Sequence, residues 1–165
     1  MLVTNVVTED IINYKKISMF IGTPYCSGKC WRELELDCSI CQNESLRDSD
    51  LIEMSINDLI DIYDNHPLCE AVVFGGMEPL DSIADLECFI MNFRYRHPDP
   101  VVIYTGYTEG EAAEKLHFIL LHENIVIKYG RYIPDQPRHY DEILGVTLAS
   151  PNQYAKKYNE IEGYC

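Results

Sequence analysis

The chain has 165 residues, 47% of them apolar and 24% charged, a balance that suits a soluble domain able to bury a core without disulfide staples. Its formal net charge of −14 repels phosphate backbones and anionic lipid, which argues against nucleic acid or a membrane as the main partner. No apolar run approaches the length of a bilayer span, and residues 1–9 lack the basic start and apolar core of a secretory signal, so a cytoplasmic protein is expected.

The first predicted strand, Ile17-Ser18-Met19-Phe20-Ile21, runs into Gly22-Thr23-Pro24-Tyr25-Cys26 and a cysteine-rich segment. Ser55 with Asp58 resembles a capping box ahead of Leu59, Ile60, Ile62 and Tyr63, which marks a first long helix. Ala71-Val72-Val73-Phe74 is the second strand, and it ends in Gly75-Gly76-Met77-Glu78-Pro79. Ser82 with Asp85 then opens a helix whose Leu86, Phe89, Ile90 and Phe93 recur at helical spacing. Val101-Val102-Ile103-Tyr104 is the third strand, ending in Thr105-Gly106-Tyr107. Thr108 with Glu111 starts another helix carrying Ala112, Leu116, Ile119 and Leu120. Ile125-Val126-Ile127-Lys128-Tyr129, the fourth strand, ends in Gly130-Arg131-Tyr132.

These strands are apolar on both faces and alternate with helices, the pattern of βαβ units. The fold expected is α/β: a small, partial (β/α) barrel with a mostly parallel sheet and helices on its outer face. Ligands bind such sheets where strands end, and in a parallel arrangement all four loops share one edge.

Four of the seven cysteines lie in Cys26-Ser27-Gly28-Lys29-Cys30 and, seven residues on, Cys38-Ser39-Ile40-Cys41. Cys69 and Cys88 read as buried small hydrophobes, and Cys165 as a free thiol in a polar tail. Clustered thiols in a reducing compartment point to a metal, and soft thiolates select zinc, copper(I) or an iron–sulfur cluster. Four would close a zinc site, whereas three on a cluster leave one iron open. Placement directly after a sheet strand favours the cluster. The glycine pair at Gly75 and Gly76 lets backbone groups approach a charged ligand, and the Glu78 carboxylate could accept from an amine. Basic residues gather in Arg94-Tyr95-Arg96-His97, read as a solvated helix end, and from Lys128 to His139. The second group reads as a loop after a strand, or as a dock for an acidic partner or a ligand carboxylate.

Gly75-Gly76-Met77-Glu78-Pro79 is similar to the GGxEP loop of the radical S-adenosylmethionine superfamily, and the order of strand, cysteine loop, helix, strand and glycine loop matches too. More narrowly, the chain resembles the activating enzyme of anaerobic (class III) ribonucleotide reductase. The matching segments are Ile11-Ile12-Asn13, Cys41-Gln42-Asn43, Tyr104-Thr105-Gly106-Tyr107, Gly130-Arg131-Tyr132 and Ala149-Ser150-Pro151-Asn152-Gln153. The resemblance implies a single domain over residues 1–165 with its cluster loop at 22–43. It implies a [4Fe–4S] cluster on Cys26, Cys30 and Cys41, with Cys38 as the alternative third ligand. S-adenosylmethionine would lie against Gly75, Gly76, Met77, Glu78 and Pro79, with Thr105, Gly106 and Asn152 near its carboxylate, ribose or adenine. The implied chemistry is reductive cleavage of that cofactor to a 5′-deoxyadenosyl radical, which abstracts hydrogen from a glycine of a partner, class III ribonucleotide reductase. An electron donor such as flavodoxin or ferredoxin is implied as well. The sequence departs from the superfamily's C-x-x-x-C-x-x-C: the third cysteine is delayed by residues 31–40. Cys41 is preferred because Gln42 and Asn43 follow it. A different protein or peptide target, or a four-cysteine zinc module without catalysis, are the competing expectations.

Overall fold

The computed structural model describes residues 1–159. The elements run β1 (Leu2–Val3), β2 (Val6–Asp10), β3 (Ser18–Thr23), α1 (Lys29–Glu33), β4 (Ile52–Glu53), α2 (Ile56–Asp64) and β5 (Ala71–Gly76). There follow α3 (Ile83–Arg94), β6 (Val101–Tyr104), α4 (Glu109–Ala112), β7 (Ile125–Tyr129), β8 (His139–Asp141), β9 (Val146–Leu148) and β10 (Tyr154–Tyr158).

Six strands form one sheet in the order β10-β7-β6-β5-β3-β2. The four predicted strands are its parallel centre, β3, β5, β6 and β7. Both flanks are antiparallel: β2 pairs with β3, and β10 with β7. The sheet is therefore mixed rather than mostly parallel. The flanking strands escaped prediction because Val6–Asp10 and Tyr154–Tyr158 are half exposed and carry Thr, Glu, Asp and Lys where the central strands are apolar.

Alternation sorts the central side chains onto two faces. Val72, Phe74, Val101, Ile103, Ile125 and Ile127 pack on one face against Leu59, Ile60 and Tyr63 of α2 and Leu86, Phe89, Ile90 and Phe93 of α3. Ala71, Val73, Val102 and Val126 point to the other face, where Tyr14, Leu144 and Leu148 cover them. Burial of this order is worth about 1.5–3 kcal/mol per large apolar side chain, and it is what fixes the strand register.

Three local expectations need correction. Cys88 is exposed, because Leu86, Phe89, Ile90 and Phe93 define the buried stripe of α3 and position 88 falls on the opposite side. Cys69 is buried as expected, its Sγ donating to the Thr8 carbonyl at 2.6 Å. Cys165 lies outside the described residues. Ser82 makes no side-chain cap on α3; a 3-10 turn, Pro79–Ser82, precedes that helix and is capped by Glu78 instead. Thr108 and Glu111 do form a reciprocal capping box, yet α4 is only four residues long. Gly110 weakens it, and Leu116 and Ile119 reach the core through looser turns that follow.

Candidate functional site

The parallel centre of the sheet brings the C-terminal ends of β3, β5, β6 and β7 to one edge, and a cavity of about 400 Å³ opens there. Cys26, Cys30 and Cys41 line it, as do Gly75, Gly76, Met77, Glu78, Thr105 and Gly106. Three anticipated residues do not. Cys38 opens a 3-10 turn, Cys38–Ile40, outside the cavity and beside Arg47. Pro79 is buried at the start of its own turn. Asn152 turns away to donate to the Arg131 carbonyl at 2.8 Å, and its neighbour Gln153 lines the cavity in its place.

The floor is set by strand register. Below it, Phe20, Val73, Val102 and Val126 pair across four strands in an apolar row. The next residues on the same face are Gly22 and Gly75, which pair, and Tyr104 and Lys128, which pair. A Cβ on Gly75 would sit 3.0 Å from the Phe20 ring, so the missing side chain is what leaves room above the sheet. Lys128 is 7% exposed, and its Nζ donates to the Gly130 carbonyl at 2.9 Å. Burial holds its ammonium down to about 8, partly offset by the charges of Glu78 and Cys30. Sequence reasoning noticed the basic group here but not that Lys128 faces inward; its place on the alternating face of a buried strand was the available signal.

Polar ties hold the loops together. The Glu78 carboxylate accepts from Leu80 N at 3.1 Å and Thr105 Oγ1 at 2.7 Å through Oε1, and from Gly106 N at 2.8 Å through Oε2. Glu78 is thus a brace between the glycine loop and the loop after β6, with three protein donors on its two oxygens. Burial pushes it up to about 7, against the pull of those three hydrogen bonds. Asp81, which the sequence did not single out, accepts from Ser27 N and Tyr107 Oη, each at 2.6 Å, and so joins the cysteine loop to the loop after β6. Asn43 Nδ2 donates to the Gly76 carbonyl, tying the far end of the cysteine segment to the glycine loop.

Cys26 and Cys30 face each other. Their mutual hydrogen bond keeps the proton on Cys26, whose thiol is pushed up further by burial. The same bond lowers Cys30, with help from its own and Trp31's backbone N–H groups and from the Arg131 charge. A Cβ on Gly106 would come within 3.7 Å of the Cys30 sulfur and 3.5 Å of Glu78 Oε2, so the first, second and third loops converge at this thiol. Among the described residues, no group of three or more His, Cys, Asp or Glu side chains is gathered at metal-binding geometry. Cys26 and Cys30, in contact with each other, share the lining of one cavity with Cys41. Thiolates in one lining are soft donors, the type that selects zinc, copper(I) or an iron–sulfur cluster.

Comparisons with protein-family models, with curated proteins and with solved structures find no match to the chain. Among the described residues, no helix is long and apolar enough to cross a membrane.

Proposed function

We propose that the chain is a radical S-adenosylmethionine enzyme that activates a glycyl-radical partner, an anaerobic ribonucleotide reductase. The observation that carries this reading is a shared lining: Cys26, Cys30 and Cys41 face the same cavity as Gly75, Gly76 and Met77, while Cys38 does not. In this reading the sheet is the wall of a partial barrel, and the protein works in the cytoplasm.

Cys26, Cys30 and Cys41 would hold a [4Fe–4S] cluster. The cluster and S-adenosylmethionine, when bound, supply an electron and a 5′-deoxyadenosyl radical. The chain's own residues bind and orient. Backbone groups of Gly75, Gly76 and Met77 would meet the methionine amine, because Glu78 is occupied as a brace. Lys128, buried beside them with two N–H groups unspent on Gly130, would take the carboxylate. Thr105 and Gly106 serve by holding Glu78, and Asn152 by holding Arg131. Phe20, Tyr104 and Tyr132 line the cavity with rings that exclude water.

The test is anaerobic reconstitution with iron and sulfide, followed by S-adenosylmethionine and a strong reductant. About four irons per chain and release of 5′-deoxyadenosine are expected. Colourless protein with one tightly held zinc would overturn the enzyme reading. Cys41→Ser should abolish the cluster and Cys38→Ser should preserve it. A glycyl-radical signal raised on the reductase, and not on other glycyl-radical enzymes, identifies the target.

A further inference from the structure

The cysteine segment holds one thiol more than the cavity uses. Cys38 and Cys41 flank a single 3-10 turn, in which the Cys41 amide donates to the Cys38 carbonyl at 3.1 Å and Asp37 caps the start through Ser39 N at 2.9 Å. A turn of this kind sets its end residues about 5–6 Å apart at Cα, within the span a disulfide needs. The exposed Arg47 lies beside both thiols and lines a second, smaller recess with Cys41. Each is partly exposed, and Cys41 alone also faces the cavity. Reactive thiols occur in partly exposed, electropositive surroundings of this sort. Cys26 and Cys30, by contrast, are engaged with each other and with α1.

We infer that Cys38 and Cys41 form an oxidisable dithiol, a modification site in which Cys38 captures Cys41 as a disulfide when the cavity's metal group is lost. The oxidant is a peroxide. One thiolate attacks the peroxide, the O–O bond breaks, and a sulfenic acid and one water result; the second thiol attacks that sulfur, the S–S bond forms and a second water leaves. Two thiols and hydrogen peroxide give one disulfide and two waters. The consequence, which rests on Cys41 being a cluster ligand, is that oxidation blocks reloading of the site until a thiol reductant restores Cys41, and that it spares Cys41 from irreversible sulfinic acid.

The experiment uses the full chain stripped of metal by a chelator under anaerobic conditions. The protein is treated with one equivalent of hydrogen peroxide, quenched with N-ethylmaleimide and digested with trypsin, which isolates both thiols in one peptide, residues 33–47. That peptide is expected lighter by two hydrogens and unalkylated, and alkylated at both sulfurs after dithiothreitol. Cys38→Ser should instead give sulfinic acid or an alkylated thiol at Cys41. Double alkylation of the wild-type peptide after peroxide, or a disulfide joining Cys41 to Cys26 or Cys30, overturns the inference. The wild-type peptide decides without any variant having to fold. A disulfide in protein that never assembles a cluster when reduced would sink the proposed function and leave this inference standing; a cluster with no disulfide after its loss does the reverse.

Discussion

Arg131 and Glu111 meet through two parallel hydrogen bonds, Nη1 to Oε2 at 3.0 Å and Nη2 to Oε1 at 2.7 Å. The pair anchors α1, which buries no side chain of its own. Lys29 of α1 adds a 2.6 Å bond to Glu111, and Glu33 of α1 pairs with the same Arg131. The helix that carries Cys30 is therefore held to the body by charge rather than by apolar packing.

Replacing Glu111 by Gln should loosen that helix. Arg131, 9% exposed, would lose its charged bidentate partner, because the Gln amide keeps one acceptor oxygen for the capping box but turns an NH2 toward the guanidinium. A loss of about 2 kcal/mol is expected in urea denaturation, together with faster alkylation of Cys30. The Arg131 and Lys29 bonds hold the Glu111 carboxyl well below the usual carboxylate range. A depressed carboxylate contributes stability above its unfolded value and loses it as pH falls. Wild-type protein should therefore lose more stability than Glu111→Gln on acidification below about pH 4.5. Equal alkylation rates in the two proteins would contradict the anchoring role.

Glu78 predicts the opposite slope. Its carboxyl is raised from 4.5 to about 7 by burial, so the folded state holds a proton that the unfolded state releases. Stability from this group is present below pH 4.5 and falls as pH rises toward 7, by about 3 kcal/mol across the window. In metal-free protein, the difference in unfolding free energy between wild type and Glu78→Gln should drift with pH across that window. A constant difference would show that the three hydrogen bonds overcome the burial.

Lys128→Met should weaken S-adenosylmethionine binding about tenfold or more, the worth of a charge-assisted hydrogen bond. Burial depresses this lysine to about 8, so its cation is present below that pH and is lost above it. Wild-type affinity, measured by equilibrium dialysis, should decline as pH passes 8, and the variant's should not. Matching affinities at pH 7 would remove Lys128 from the site.

Gly130→Ala should unfold the end of β7. Gly130 has φ +97, and an added Cβ would fall 2.4 Å from the Asn152 carbonyl oxygen, a backbone atom. The strain alone costs about 1–3 kcal/mol. The shift would also release the Gly130 carbonyl from Lys128 Nζ and Gln153 Nε2. A melting temperature unchanged from wild type would rule out the tight crossing of these two segments.

The centre of the sheet was legible because Ala71–Gly76, Val101–Tyr104 and Ile125–Tyr129 are buried on both faces, and short runs of unbroken apolarity suit parallel strands covered on both sides. The convergence of their end loops followed from parallel pairing. What the sequence could not reveal was direction and occupancy. Glu78 looked available to a ligand, yet Thr105 and Gly106 reach it only after β5 and β6 are side by side. Asp81 became a joint because loops far apart in sequence meet at it. Asn152 and Gln153 are adjacent, and which one faces inward depends on the turn that leads into β10.

The paired Gly22 and Gly75 carry a consequence for how this chain tolerates change. Where two strands meet at paired glycines there is room for neither an added side chain nor a shift of register. One residue inserted in β3 would set a side chain where Gly22 now admits Thr4 and Asn5, whose oxygens lie 2.2 and 2.1 Å from its notional Cβ. Drift in this region should therefore be free of insertions and deletions, whereas the cysteine segment beyond it, tied down mostly at its ends, can lengthen without disturbing the floor.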